Sequence, residues 1–560
     1  MALRKISLLI FILSTSIFIP SQVNSQVVWQ HVDHTSIYEF LDEMANMKLI
    51  EINSAVKPYS RTFISEKLLE LNSHIAVLNQ RQRKELEYFI KEYSKEFRAG
   101  KEMDYIGKNY FGQGRIPFAN RARRADFFYY RDTDFMFSLN PILGANFILS
   151  DSASMYHRWN GAEMMFYAGK YLGVYANLRD NYISKAITGP DYLVQETGGG
   201  FKNPTYGFSN RDAVEYSEMR GGITAGGKWW NLGLVKEHNV WGNNYNGANI
   251  LSDRAPSFAQ IKLQLNPYKW IELNYFHGWL SSKVADSAAT QNYGTGTTTI
   301  YVPKYMAANM LTVKPVKHLN VSIGNSIVYS RSINAGYLIP VMFFKSLDHT
   351  YSTLGNSQMF IDISSRNLKN FHFFATGYFD DFSFGRLFDD NVWKPWSFKL
   401  GGRANNILSN LSVTAEYTRN NVLAWKHYNP ETTFESTKYN MGHYLRDNAN
   451  EYFFMISWKP LPKLLVEASW LNANKGPEYP DLRGIYDPVT GEPLVYSYPF
   501  QEEIVWEKTS FGLSASYEIM HDIIIRGKAE YSDINDKAGF TPDQFKGKQI
   551  ITSFMMTVGF

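Results

Sequence analysis

The sequence contains no cysteine among its 560 residues. This absence excludes a disulfide framework and a thiolate metal site. It also excludes the cysteine on which a bacterial lipoprotein carries its acyl anchor. Any attachment to a membrane must therefore come from the polypeptide itself.

Long apolar runs are also scarce. The run from Ile6 to Ile19 follows Arg4 and Lys5 and precedes a signal-peptidase cleavage pattern, so we expect residues 1–25 to be a signal peptide, cleaved before Gln26. No stretch approaches the roughly eighteen uninterrupted apolar residues that a transmembrane helix needs. A membrane location would therefore require a β-barrel.

Neither sign of charge dominates the sequence. Lys and Arg number 57 against 53 acidic residues, and loss of the two basic residues of the signal peptide leaves 55 against 53. Nucleic-acid binding needs a concentrated basic surface, so we expect no nucleic-acid partner. Aromatic residues make up 16% of the chain. This content suits the interfacial girdles of a barrel, although a soluble lectin-like β protein could share it.

The last eleven residues alternate between two faces. One face carries Ile550, Thr552, Phe554, Met556, Val558 and Phe560. A secreted bacterial chain whose final strand closes on an aromatic residue is typical of an outer-membrane β-barrel. We therefore expect Phe560, with Val558 and Met556 on the same face, to form the signal for barrel insertion.

The start of the mature chain has helical periodicity instead. Apolar residues recur at helical spacing in three stripes, which run through 37–44, 64–75 and 86–93. Ser60 and Asn79 stand where the second and third helices should begin. The predicted divisions are a signal peptide (1–25), a periplasmic helical unit (26–100), a connecting segment (101–131) and an outer-membrane β-barrel (132–560).

The remaining sequence alternates with a period of two, and its connections alternate in length. Counted back from the C-terminus, short turns separate long connections near 533–548, 472–506, 420–449, 381–395, 329–356, 281–304, 238–257 and 181–216. Such alternation is typical of periplasmic turns and extracellular loops, whereas Greek-key sandwiches have no reason to show it. The predicted fold is mainly β, a transmembrane antiparallel β-barrel preceded by a small N-terminal three-helix unit. The count gives eighteen strands, or twenty if Phe135–Leu139 forms an extra strand.

Two stretches carry a family resemblance. Residues 240–258 (VWGNNYNGANILSDRAPSF) and 439–449 (YNMGHYLRDNA) resemble two loops of the Wzi capsule-assembly family of outer-membrane β-barrels, and residues 57–61 (KPYSR) are similar to part of its N-terminal unit. The sequence looks most like the Bacteroidota branch that includes the gliding motility protein RemB. The resemblance covers nearly all of the mature chain. It implies an outer-membrane barrel, a periplasmic helical unit and a surface that handles carbohydrate polymer.

Both matching loops are predicted to face the outside of the cell. Aromatic rings and side-chain amides stack on sugars and bind their hydroxyl groups. The predicted carbohydrate contacts are Trp241, Asn243, Asn244, Tyr245, Asn246, His443, Tyr444, Arg446 and Asp447. The alternative is that Trp241 and Tyr245 belong to an interfacial girdle and that the asparagines form turns.

Catalytic and metal sites are not expected. Acidic pairs at 380–381 and 389–390, and His443 with Asp447, match solvated loop charges better than a hydrolytic site, which needs carboxylates packed together. His31 and His34 lie in an N-terminal tail, where isolated histidines seldom bind metal. We therefore expect no enzyme activity, no metal and no cofactor.

Two functional hypotheses follow. The first is a non-enzymatic barrel that binds or organises cell-surface polysaccharide and supports surface attachment or gliding motility. Its partners would be outer-membrane lipid, a surface polysaccharide, and a motility adhesin or periplasmic protein reached through the helical unit. The second is a porin or substrate-specific outer-membrane channel, because barrels of this width hold an aqueous channel unless something fills them.

Overall fold

The computed structural model describes residues 27–96, 126–132, 134–169, 171–199, 213–292, 294, 296–351, 354–380, 395–482, 484–492 and 498–559. The predicted signal peptide, Phe560 and the acidic residues at 381, 389 and 390 lie outside these ranges. So does most of the predicted connecting segment. None of the described helices is long and apolar enough to cross a membrane.

The chain begins with three helices, α1 (Thr35–Asn46), α2 (Arg61–Ser73) and α3 (Gln80–Glu92). The predicted helix starts are confirmed, because the Ser60 hydroxyl accepts from the Phe63 N–H and Asn79 forms a reciprocal capping box with Gln82. Their apolar stripes pack together into a separate core. The main members of that core are Phe40, Leu41, Met44, Leu68, Leu71, Leu86 and Phe89.

Eighteen antiparallel strands close into a barrel, which confirms the predicted fold class and strand count. Phe135 to Leu139 is the beginning of the first strand, so the alternative of twenty strands is wrong. The strands are β1 (Phe135–Leu149), β2 (Ser154–Ala168), β3 (Leu172–Ile183), β4 (Val214–Gly226), β5 (Trp230–Glu237), β6 (Phe258–Tyr268), β7 (Ile271–Ala285), β8 (Tyr301–Val316), β9 (Leu319–Ser330), β10 (Asn356–Ser365), β11 (Phe371–Asp380), β12 (Trp396–Leu408), β13 (Leu411–Asn420), β14 (Ala449–Leu461), β15 (Leu464–Lys475), β16 (Trp506–Met520), β17 (Ile523–Asp536) and β18 (Gly547–Val558).

The last strand closes the barrel against the first. β18 pairs with β1 from Thr552↔Leu149 to Val558↔Leu143. A short strand, Phe128–Arg131, pairs with the N-terminal part of β1, from Met136 to Leu139. Ile550, Phe554 and Met556 are exposed on the outer face of β18. The apolar face that the sequence predicts for this strand is therefore the one that faces away from the lumen.

The helical unit lies at the end of the barrel that carries the connections of two to five residues, here called the short-turn end. The Asn46 side-chain amide donates to the side-chain Oδ1 of Asn405 at 2.5 Å, near the turn between β12 and β13. The Tyr88 hydroxyl donates to Glu518 at 2.5 Å, near the turn between β16 and β17. The opposite, long-loop end carries connections of up to thirty residues, apart from the four-residue turn between β1 and β2.

One long connection packs against the outside of the barrel. This lateral loop (residues 331–355) contains a fourth helix, α4 (Phe344–Tyr351). Ala308 and Met310 pack inside the lumen, so Asn309 between them faces outward. The Asn309 amide donates to the carbonyls of Pro340 and Met342, both at 2.9 Å. The loop thus satisfies a polar side chain that would otherwise face lipid.

The side of the lateral loop that faces away from the barrel is apolar. Val341 is 73% exposed, beside exposed Ile339 and Phe343. Val341→Lys is expected to lower the free energy of unfolding of vesicle-embedded protein by about 1–3 kcal/mol, because a charge on the lipid side of a barrel is costly. Urea titration of the vesicle-embedded protein measures it.

Val489 provides the matched control, because it is 90% exposed on a connection at the long-loop end. Val489→Lys is expected to change the free energy of unfolding by less than about 0.5 kcal/mol. Equal effects of the two substitutions would show that the lateral loop does not face lipid.

Candidate ligand cavity in the barrel lumen

The connection between β5 and β6, here called lumen loop 1 (residues 238–257), folds into the barrel. Trp241 is only 1% exposed, and its ring lies 5.3 Å from that of Phe276 on the inner wall. Its backbone pairs with Val56 of the helical unit. Trp241 therefore joins the loop, the wall and the helical unit, and it presents no face to an external ligand.

Three carboxylates on distant strands hold residues 243–246 of lumen loop 1. Asp362 accepts from the backbone and side-chain N–H groups of Asn243 at 2.8 and 2.6 Å. Glu416 accepts from the backbone N–H groups of Tyr245 and Asn246 at 2.5 and 2.9 Å. The Asn246 amide donates to the third carboxylate, Glu451, at 2.9 Å. Charge-assisted hydrogen bonds of this kind are among the strongest in proteins, so the loop is fixed across the lumen.

The second matching loop, lumen loop 2 (residues 421–448), is buried beside the first. His443 is fully buried with its Nε2 atom 3.7 Å from Glu451, and burial lowers the pKa of His443 although Glu451 opposes this. Tyr444 donates to the same carboxylate. The Ser252 N–H donates to the Met441 carbonyl at 2.7 Å, so the two loops are hydrogen-bonded to each other.

His443 and Asp447 have separate partners. Asp447 accepts from the Leu423 N–H at 2.9 Å and lies 3.6 Å from the Lys475 ammonium. Arg446 is partly exposed and forms a 2.9 Å ion pair with Glu478. Its φ of 62° lies in the left-handed region that favours glycine.

The predicted carbohydrate contacts therefore divide into two groups. Trp241, Asn246, His443 and Asp447 are buried within the lumen loops and, in the part of the chain that the structure describes, none of them lines a cavity. These four residues therefore do not lie on an outer surface, because their partners belong to the barrel wall, the helical unit and the lumen loops themselves. Their role as carbohydrate contacts stays a prediction. The remaining predicted residues, apart from Arg446, line a cavity: Asn243, Asn244, Tyr245 and Tyr444. Asn243 and Tyr444 are nevertheless also buried.

The cavity lies between the helical unit and the lumen loops and has a volume of about 370 Å³. That volume is at the low end of the range for small-molecule pockets, roughly 300–1,000 Å³. The helical unit contributes Glu39, Asp42 and Lys57 to its lining. Nothing in their local sequence marked Glu39 or Asp42 as lumen residues, whereas Lys57 belongs to the matching stretch 57–61.

Ionised and aromatic groups meet at one side of this cavity. The Tyr245 hydroxyl donates to Asp42 at 2.9 Å, and the Arg403 guanidinium lies 3.8 Å from the centre of the Tyr245 ring. Burial acts to raise the pKa of Asp42, but Arg366 and Arg403 hold that pKa well below its usual range. Burial lowers the pKa of Lys57. The lining thus offers donors and acceptors suited to a small, hydroxyl-rich ligand.

Charged side chains elsewhere on the inner wall of the barrel also form ion pairs. The Lys399 ammonium lies 3.0 Å from Glu416, and both side chains are fully buried. Glu530 lies 2.9 Å from Lys508 and 2.6 Å from Lys528. Much of the charge that a lumen of this width would otherwise expose to water is therefore neutralised within the protein.

No protein-family model matches the sequence, and no curated protein matches it as a relative. Among solved structures, the chain is similar to Wzi of Escherichia coli, described as an outer membrane protein involved in group 1 capsule assembly and a carbohydrate-binding β-barrel. The TM-score is 0.55 at 10% identity, over 96% of this chain and all of Wzi.

Two other solved structures match less well. OprD of Pseudomonas aeruginosa gives a TM-score of 0.39 at 11% identity, over 75% of this chain and 92% of OprD. OccAB1 of Acinetobacter baumannii gives 0.43 at 10% identity, over 75% of this chain and 96% of OccAB1. The chain is a bacterial outer-membrane β-barrel whose fold is similar to that of Wzi.

Proposed function

We propose that this protein is a non-enzymatic outer-membrane barrel that binds or organises cell-surface polysaccharide, either capsule or exopolysaccharide, and supports surface attachment or gliding motility. The observation that carries the proposal is the filled lumen. An eighteen-strand barrel is wide enough for an aqueous channel, yet both lumen loops and the helical unit occupy it here. A long polymer is then handled at the outer surface.

The likeness to Wzi supports a saccharide as the ligand, because that protein is described as carbohydrate-binding. The stretches 240–258 and 439–449 favour the same class, and the chain length and aromatic-rich strands favour, within it, the branch that includes RemB. In the structure, both stretches serve mainly to hold the lumen loops in place inside the barrel. The polymer contacts are therefore expected on exposed residues of the connections at the long-loop end.

Exposed tyrosines mark that outer surface. Tyr428 belongs to lumen loop 2, and Tyr486 belongs to the next connection (residues 476–505); their side chains are 37% and 61% exposed. The Arg446–Glu478 ion pair joins these two connections. Flat aromatic faces beside charged groups suit the stacking and gripping of sugar rings.

Removing the two tyrosines tests the saccharide surface. The double variant Tyr428→Ala/Tyr486→Ala is expected to weaken binding of purified surface polysaccharide to intact cells by about 5- to 150-fold, because each aromatic contact contributes about 0.5–1.5 kcal/mol. The measurement is binding of labelled polysaccharide to cells that display equal amounts of each protein.

Tyr268→Ala is the matched control, because Tyr268 is 65% exposed at the short-turn end. This control should bind polysaccharide like the unaltered protein. Undiminished binding by the double variant would remove the saccharide part of the proposal.

The second candidate is a porin or substrate-specific channel. The observation in its favour is the lumen cavity, which is lined by charged and hydroxyl-bearing side chains. Electrical conductance separates the two candidates, since a scaffold with a filled lumen carries no steady current and a channel does.

A further inference from the structure

Three potential metal ligands, one from the N-terminal segment and two adjacent residues where β5 ends, meet inside the barrel. They are His31 of the N-terminal segment, Glu237 at the end of β5 and His238 at the start of lumen loop 1. His31 Nε2 lies 3.1 Å from His238 Nδ1 and 3.9 Å from Glu237 Oε1. One ligand atom from each residue lies within 4.8 Å of the others. All three side chains are at least nine-tenths buried.

These separations fit the first coordination shell of a metal ion. Zinc binds histidine nitrogen and carboxylate oxygen at about 2.0–2.2 Å, so two tetrahedral ligand atoms lie about 3.4 Å apart. Two imidazoles with one carboxylate form a ligand set typical of zinc. The observed distances lie on either side of that value, and an ion between the three atoms needs only small side-chain rotations.

The far nitrogen of each imidazole also has a carboxylate beside it. His31 Nδ1 lies 3.2 Å from Asp33 Oδ2. His238 Nε2 lies 3.7 Å from Glu218 Oε1, and among the described residues neither of these two buried atoms has a hydrogen-bond partner. Histidines that bind metal usually donate their other N–H to a carboxylate, which fixes the ring orientation. Glu218 is placed to accept from His238 in this way, whereas His31 Nδ1 accepts from the Asp33 backbone N–H at 3.2 Å.

The charged side chains around the cluster balance one another. Asp33, Glu218 and Glu237 supply three carboxylates, whereas Arg220 lies 3.9 Å from Glu237 and Arg179 lies 3.6 Å from Glu218. Asp253 also acts electrostatically on His238, and Lys236 and Lys262 act on Glu237. Four carboxylates therefore meet four basic side chains around the cluster.

We propose that His31, Glu237 and His238, with a water molecule as the fourth ligand, bind Zn²⁺ or a similar first-row divalent ion, which joins the N-terminal segment to the barrel wall. The expected absence of metal rested on a flexible N-terminal tail that holds His31 and His34. In the structure His31 is buried against the wall, while His34 lies apart, 4.0 Å from Asp522 at a short turn. Only the fold brings His31 to Glu237 and His238.

The test uses the full chain, folded without a polyhistidine tag and stripped of metal with a chelator. Titration with Zn²⁺, followed by calorimetry and elemental analysis, should give one ion per chain with a Kd in the micromolar range or tighter. His31→Ala and His238→Ala are each expected to weaken binding more than tenfold. Glu218→Gln is expected to weaken it about tenfold, through loss of the carboxylate that orients His238.

His349→Ala is the matched control, because His349 is exposed on α4, and it should bind Zn²⁺ like the unaltered chain. Heat-modifiable migration on gels verifies that each variant folds. In the unaltered chain, Co²⁺ should give the visible absorption of a four-coordinate site. Failure of the unaltered chain to bind one ion, or unchanged affinity in the His31→Ala/His238→Ala double variant, would overturn the proposal.

Discussion

Glu416→Ala is expected to lower the free energy of unfolding by about 3–5 kcal/mol. This range is typical when one partner of a buried ion pair is removed and the other is left as an uncompensated charge. In this protein the stranded charge would be Lys399, whose ammonium lies 3.0 Å from Glu416. The N–H groups of Tyr245 and Asn246 would also lose their acceptor. Urea unfolding of the protein in vesicles measures the change.

Asp533→Ala provides the control, because Asp533 is an exposed carboxylate on β17, 3.8 Å from the exposed Lys548 ammonium. Exposed pairs of this kind contribute at most about 1 kcal/mol. If both substitutions cost the same, lumen loop 1 is not anchored by Glu416. Wall carboxylates would then not be what holds lumen loop 1 inside the barrel.

Replacing lumen loop 1 with a two-residue Asn-Gly turn is expected to convert a silent barrel into one that shows channel openings. Glu237 and Phe258, which flank the loop, are paired across β5 and β6, so a tight turn can join them. The replacement removes the segment that crosses the lumen. It also removes contacts that tether the helical unit, such as the 2.6 Å hydrogen bond from Ser54 to Asn243. Single-channel recording in planar bilayers measures the openings.

The connection between β7 and β8 gives a matched control. Ala285 and Tyr301 are likewise paired across the two strands, and most of the intervening described residues are exposed. The same two-residue turn in place of residues 286–300 should leave the barrel silent. A silent trace from the shortened lumen loop 1 would show that this loop does not close the barrel.

Much of the fold follows from local pattern. Alternation with a period of two and the sequence of short turns predicted eighteen strands, because the two faces of each strand meet different surroundings. Ser60 and Asn79 marked helix starts through capping chemistry that depends on only a few neighbouring residues. These features are local, so a single sequence contains them.

The placement of the long connections could not be predicted in this way. The amides of Asn243 and Asn246 are as suitable for sugars as for carboxylates, and their partners Asp362, Glu416 and Glu451 lie 119 to 205 residues away. The alternation of β13 shows that Glu416 faces the lumen, but it does not show that Glu416 binds the backbone of lumen loop 1. Length and polarity alone favour an external loop, whereas tertiary hydrogen bonds turn lumen loop 1 inward.

The lateral loop illustrates the same limit. The sequence predicts a long connection near 329–356 but not its helix, and nothing local shows that Asn309 and Asn325 on the outer wall bind its backbone. Asn325 accepts from the Phe344 N–H at 2.8 Å. The direction in which a long connection folds depends on which polar groups the strands leave unsatisfied, and that is a property of the closed barrel.

The most direct test of the proposed scaffold is the conductance of the unaltered, full-length protein in a planar bilayer. Lumen loops fixed by Asp362, Glu416 and Glu451, together with the docked helical unit, predict a membrane that shows no steady current after insertion of the protein is verified. A sustained open-channel current from the unaltered protein would contradict the account and would favour the channel instead.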